Sequence, residues 1–120
     1  MIYEVGMLCK HFKGSTLYDK NIYKILELNV DGTSLHSDVT YSGDGDVATS
    51  RNLVVYENIF QNHKKFAREY EDISSELSED KKKLYNQELK VQPLTEEEKL
   101  LVKSDKFVIL KEQVTKEKYK

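Results

Sequence analysis

"LVVYENIFQNHKKFAREYEDISSEL", residues 53–77, can be read in two ways, and the fold turns on the choice. By period, Ile59, His63, Phe66, Tyr70, Ile73 and Leu77 recur at spacings of four and three, the stripe of an amphipathic helix over residues 58–77. By residue type, "RNLVVYENIF" (51–60) carries the β-branched and aromatic side chains that strands favour. The two assignments collide at residues 58–60, and periodicity alone favours the helix.

Upstream, the pattern is that of strands. "NIYKILELNV" (21–30) sets Ile22, Lys24, Leu26, Leu28 and Val30 on one parity and Tyr23, Ile25, Glu27 and Asn29 on the other, which suits a half-buried strand. Asp31-Gly32 signals the turn that ends it, and Gly43-Asp44-Gly45-Asp46 reads as the tip of a hairpin between "SLHSDVTYS" and "RNLVVYENIF". Downstream, a helix is expected over Ser78–Leu89, with Ser78 as its cap and Glu79 and Asp80 at the positive end of its dipole. A third helix spans Thr95–Lys103, where Thr95 and Glu98 make a capping box and Pro93 stands just outside. Strand character returns in "KFVIL" (106–110), and "KEQVTKEKYK" (111–120) is a polar tail that frays at its end.

With 120 residues, 38% hydrophobic and 33% charged, the chain suffices for one core and not for two. A net charge of −2 supplies no global field for a nucleic-acid backbone, and the lysines at 81–83 are offset by neighbouring acids, so nucleic acid is not an expected partner. One cysteine, Cys9, excludes an intrachain disulfide. "MIYEVGMLCKHFK" has neither the long apolar run of a membrane span nor the pattern of a signal peptide, so a cytoplasmic protein with no membrane association is expected.

Local signatures of catalysis are missing. There is no Gly-x-Ser-x-Gly elbow, no phosphate-cradling glycine-rich loop and no dinucleotide fingerprint, so no enzyme, catalytic residue or cofactor is expected. Asp44-Gly45-Asp46 lacks the alternating ligands of a calcium loop, and His11, His36 and His63 lack the spacing of a zinc site. What remains is "KHFKGS" (10–15), where Lys10, His11 and Lys13 gather cationic donors on one strand and Phe12 faces the other way. It is either a strand entering a turn at Gly14 or one corner of an anion site.

"GMLCKHFKG", "YKIL", "LVVYENIF" and "FAREYEDI", in that order, resemble the small bacterial and phage domain-of-unknown-function family numbered 1653. Its pattern runs Gly-x-x-x-x-His-Phe-Lys-Gly, Tyr-x-Val, Val-Val-Tyr-x-x-Leu-Tyr, then Trp-x-Arg-Pro-x-x-x-Phe. It falls here on Gly6, His11, Phe12, Lys13, Gly14, Tyr23, Val54, Val55, Tyr56, Phe60, Phe66, Arg68 and Tyr70. Glu69 stands in place of the proline and Ile73 in place of the last phenylalanine. Arg51 and Glu57 occupy positions where the family usually has an acid and then a base, so any ion pair there is reversed. "STLYDKN", the long stretch 31–46 and everything after about Leu89 are additions.

The resemblance makes Leu53–Phe60 a strand, Gln61–Lys65 a turn and Phe66–Arg68 a short strand, with helix only from Glu69. It implies an α+β protein with a mainly β core: a small curled antiparallel sheet, or a Src-homology-3-like barrel, with added C-terminal helices. Residues 1–120 then form one domain, 6–77 as the family-like β core and 78–120 as a helical and strand extension. The sheet would contain Lys10, Ile25 and Val55, with Phe12, Ile25, Leu26, Val55, Phe60 and Phe66 in the core.

In such a sheet His11, Lys13, Arg68 and the hydroxyl of Tyr56 or Tyr70 would form an anion-binding group, with Arg68 able to hold a phosphate or carboxylate through two donors. Arg68 as a structural strut bonding loop carbonyls explains the same residue. The expected function is a non-enzymatic module that recognises a small anion such as a nucleotide, and the phage association of the family extends this to sequestering a host-defence signal. The alternative is a protein-interaction module acting through a sheet edge or aromatic groove, with Leu84, Tyr85, Leu89, Leu100, Leu101 and Val102 packing on the sheet or building a homodimer.

Overall fold

A computed structural model describes residues 2–118, and in it residues 53–58 and 64–69 are strands. β1 (Leu8–His11), β2 (Ile22–Val30), β3 (Val39–Tyr41), β4 (Leu53–Asn58), β5 (Lys64–Glu69) and β6 (Val91–Pro93) form one sheet in the order β3-β5-β4-β2-β1-β6. The helices are α1 (Tyr70–Ile73), α2 (Glu79–Tyr85), α3 (Glu96–Val102) and α4 (Asp105–Lys118). The protein is α+β with a mainly β core.

Asn58 ends β4 by accepting the Phe60 amide on its side-chain oxygen at 3.2 Å, a local bond that competes with continued pairing. Asn62 and His63 then both take left-handed backbone angles, φ 54° and 52°, and turn the chain into β5 without a glycine. The helix that periodicity alone favours over 58–77 is therefore not formed, and the strand, turn and strand reading of this segment, with helix only after Glu69, holds. The stripe is spread over a turn, a strand and one helical turn, because Val54, Val55 and Tyr56 gain two strand partners, β2 and β5, that an isolated helix would lack.

Three further expectations are corrected. The sheet is open and mixed: β3 runs parallel to β5, so 43–46 is a connection between strands and not the tip of an antiparallel hairpin, and no barrel closes. Both edge strands are only three residues long, which leaves little ladder with which to close one. "KFVIL" lies in α4, where Ser104 accepts the Phe107 amide at 3.2 Å as an N-terminal cap. The helix expected to reach Leu89 ends at Tyr85, since Asn86 turns left-handed, and β6 follows. Segment 78–118 is thus woven into the sheet through β6, which pairs with β1.

One face of the sheet buries Cys9, Tyr23, Ile25, Val54 and Tyr56 beneath Tyr3 and Ile73. The other face is split. Ile22 lies under Leu94, Val102 and Phe107, whereas Leu53, Val55 and Ala67 lie under the 31–50 connection. That connection is pinned at Gly32, whose amide donates to Ser50 at 2.9 Å, and a Cβ there would stand 1.7 Å from the Val47 carbonyl oxygen. Of the expected core, Phe12, Ile25 and Val55 are buried and Leu26, Phe60 and Phe66 half-buried. Phe12 packs edge-on against Tyr85 of α2 at 5.2 Å, away from the main clusters.

Three buried lysines fasten the added segments. Lys10 pairs with Glu98 of α3 at 2.7 Å. Lys20 donates to the carbonyls of Phe12 and Tyr85, and Lys111 of α4 to those of Tyr18 and Lys20. Burial pulls the Lys20 and Lys111 ammoniums down to about 8. An unfolded lysine holds its proton to near 10.5, so the unfolded state binds more protons between these values and folding stability should rise with pH there. Urea titrations at pH 7.5 and 9.5 should show the increase, and Lys111→Met should flatten it; an unchanged slope in the variant would place Lys111 in water. Phe107, fully buried and stacked on Tyr18 at 4.6 Å, carries the docking of α4. Phe107→Ala should cost about 3–5 kcal/mol of unfolding free energy.

Candidate anion-binding site

Strand alternation places His11 of β1, Tyr23 of β2, Tyr56 of β4 and Phe66 and Arg68 of β5 on the same face of the sheet. Their rings form a diagonal row across the four strands: His11 to Tyr23 6.3 Å, Tyr23 to Tyr56 4.6 Å, Tyr56 to Phe66 6.0 Å. The register sets this order, since Cys9 pairs with Tyr23, Ile25 with Tyr56, and Tyr56 with Phe66. A one-residue slip in β4 would send Tyr56 to the opposite face.

Arg68 closes the row. Its Nη2 donates to Asp72 of α1, and Lys90, just before β6, donates to the other oxygen of the same carboxylate at 2.7 Å. Burial works to raise the Asp72 pKa, but the bonds from Lys90 and the charge of Arg68 hold it below the ordinary carboxylate value. Arg68 Nε is buried and has no hydrogen-bond partner. Burial raises the Tyr56 hydroxyl, with Ser42 and Arg68 acting in the opposite direction. Beside this cluster opens a cavity of about 260 Å³, with Tyr41, Gly43 and Asp44 on one wall and Arg68, Glu69, Asp72 and Lys90 on the other. Glu69 is engaged by the Ser50 hydroxyl at 2.9 Å. A side chain at position 43 could not be added without moving Tyr41, whose hydroxyl would lie 2.6 Å from the new Cβ.

The expected site residues fare differently. His11, Tyr56 and Arg68 lie on one face of the sheet, on β1, β4 and β5, with β2 and β4 standing between the strands of His11 and Arg68. His11 is not a cation, however: burial, and then the charges of Arg68, Lys13, Lys20 and Lys90, push it down to about 4. Its Nδ1 accepts the Lys13 amide at 3.4 Å. Lys13 is exposed past the strand end, with its ammonium 6.0 Å from the Phe12 ring; its charge acts on His11, but among the described residues no hydrogen bond or ion pair joins it to Arg68. Tyr70 packs edge-on against Tyr3 at 5.7 Å and accepts the Ile2 amide, so it anchors the N-terminal segment. Lys10 points to the opposite face, toward Glu98. Arg68 is braced by a carboxylate and not by loop carbonyls.

Asp72 and Lys90 complete the cluster and were not foreseen. Asp72 lies four residues after Arg68, a spacing visible in the sequence; Lys90 is brought in only by the pairing of β6 with β1, and carries no local signal. Among the described residues no three His, Cys, Asp or Glu side chains come together to hold a metal ion, and no helix is long and apolar enough to cross a membrane.

The ionisation of His11 offers a direct check. A folded-state value near 4 against an ordinary 6.5 means that its contribution to stability is complete above pH 6.5 and is lost as pH falls toward 4. Following the ring protons by NMR should give a midpoint well below 5; a midpoint near 6.5 would show an imidazole in water.

Comparison of the chain with family models, with curated proteins and with solved structures found no match.

Proposed function

We propose that this protein is a non-enzymatic binding module for a small anionic ligand, whose phosphate or carboxylate group enters the cavity beside Arg68 and Lys90. The observation that carries this reading is the convergence of two cations, from β5 and from the segment before β6, on a single carboxylate at a cavity wall. Asp72 is the one wall carboxylate bonded to these cations among the described residues; Glu69 is engaged by Ser50 and Asp44 pairs with neither. His11 behind them is pushed down first by burial and only then by the charges of Arg68, Lys13, Lys20 and Lys90.

The size of the cavity narrows the ligand. Sites that enclose a whole drug-sized molecule run to about 300–1,000 Å³, and 260 Å³ falls below that range. It suits an anionic head group with the remainder of the ligand outside, against Tyr41. A nucleotide is therefore held by its phosphate and not swallowed. The aromatic row does not serve as a stacking platform, because Tyr23 and Tyr56 are buried. Its part is to hold β1, β2, β4 and β5 in register behind the cations.

A second reading, a protein-interaction module or homodimer, draws on Leu84, Leu100, Leu101 and Ile109, all exposed. A sheet edge is a poor vehicle for it, since each edge strand offers three residues and β6 ends in Pro93, which has no amide proton. The helical surface would have to carry it.

Calorimetric titration with inorganic phosphate, adenosine monophosphate and citrate tests the first reading. Arg68→Lys keeps the charge and loses the planar two-donor fork, so affinity should fall roughly tenfold, equivalent to about 1.4 kcal/mol. Equal affinity in the variant, with only the melting temperature lowered, would make Arg68 a strut.

A further inference from the structure

The contact between Arg68 and Asp72 uses the arginine poorly. A guanidinium meets a carboxylate or phosphate best through two parallel N–H donors. Here Asp72 takes Nη2 on one oxygen and gives the other to Lys90, while Nε of the same guanidinium is buried without a hydrogen-bond partner, the Tyr56 hydroxyl being the other oxygen close to the guanidinium. Buried donors are nearly always satisfied, so an idle one beside a cavity asks for an acceptor. The cavity walls supply a second clue: Asp44, Glu69 and Asp72 line it together with Arg68 and Lys90, which leaves no net positive charge for an anion simply to be added. Glu69 is occupied by Ser50, whereas Asp72 is held by the very cations that a ligand would need.

We infer that Asp72 is a built-in competitor, an internal stand-in for the anionic group of the ligand, which leaves Arg68 when a ligand arrives. This rests on the anion-binding reading above and adds how the site is kept shut and what opens it. The incoming oxyanion takes Arg68 through Nε and one Nη, so a single-donor contact is replaced by a two-donor one and the idle donor is satisfied. Asp72 keeps Lys90. α1 has one turn and Glu69 at its start makes no side-chain capping bond, whereas Ser74 and Ser75 hold the carbonyls of Tyr70 and Asp72 at its end, so the move is one of the Asp72 side chain and not of the helix. The ligand class is one that presents two adjacent oxygens, a phosphate monoester or a carboxylate, and the two are told apart by probe.

Asp72→Asn keeps the shape of the side chain and removes the competing charge. Calorimetric titration of wild type and variant with adenosine monophosphate, inorganic phosphate and citrate should show affinity for at least one probe rising about tenfold in Asp72→Asn; the phosphate probes gaining more than citrate would assign a phosphate ligand, the reverse a carboxylate. If wild type binds a probe and Asp72→Asn binds it equally or more weakly, the competitor role is overturned while the anion site stands. If neither protein binds any probe at millimolar concentration, the anion-binding reading falls, and this inference with it. Because losing Asp72 also loosens Lys90, the wild-type protein offers a second measurement: the Asp72 carboxyl carbon, followed by NMR, should shift on saturation with the probe that binds. An unmoved resonance in the saturated protein would overturn displacement.

Discussion

β4 is the strand on which the rest of the molecule depends. It is paired along its length with β5 on one side and with β2 on the other, and every residue from Leu53 to Asn58 except Glu57 is buried. A strand enclosed in this way cannot shift: a slip of one residue would exchange Leu53 and Val55 with Val54 and Tyr56, and so exchange the contents of both core layers. The face that receives Tyr56 is therefore settled by β4, and with it the position of Arg68, which pairs with Val54 across the ladder to β5. Site and core share one register.

Cations are handled in two contrasting ways. Lys20 and Lys111 are enclosed by backbone carbonyls, and their bonds serve as tethers from the 12–20 loop to α2 and α4. Among the described residues neither forms an ion pair, and they carry the cost of burial in their lowered ionisation, eased a little by the charges of Glu98 and Asp19. Arg68 and Lys90 instead share Asp72, a charge-balanced cluster only in part, at the wall of a cavity. In the first arrangement the lysines are enclosed, 4% and 3% exposed; the second lies at a cavity wall and has an unused donor. Geometry thus separates structural cations from candidate functional ones where residue type does not.

The neutral state of His11 follows from the same contrast. An imidazole among Arg68, Lys13, Lys20 and Lys90 can be buried only if it stays uncharged. It joins Tyr23, Tyr56 and Phe66 as one more ring in the row, and its place in the candidate site is behind the cations, supporting them.

Much of this was legible in the chain. The alternation of residues 21–30, the capping box of Thr95 and Glu98, the cap at Ser78 and the β-branched run Val54-Val55 are local signals, and local signals survive because they act through neighbouring backbone groups. The strand propensity of "KFVIL" gave way to the helix that Ser104 caps once Phe107 and Lys111, four apart, found Tyr18 and the 12–20 loop to pack on. The sequence determined the strand and helix types for most of the chain and assembled His11, Tyr56 and Arg68 as candidates. Only tertiary structure decided that β3 runs parallel to β5, that β6 exists, that Lys90 joins Arg68, and that His11 is neutral. Each of these depends on groups far apart in sequence meeting in space, and on burial, which no local pattern of residues records.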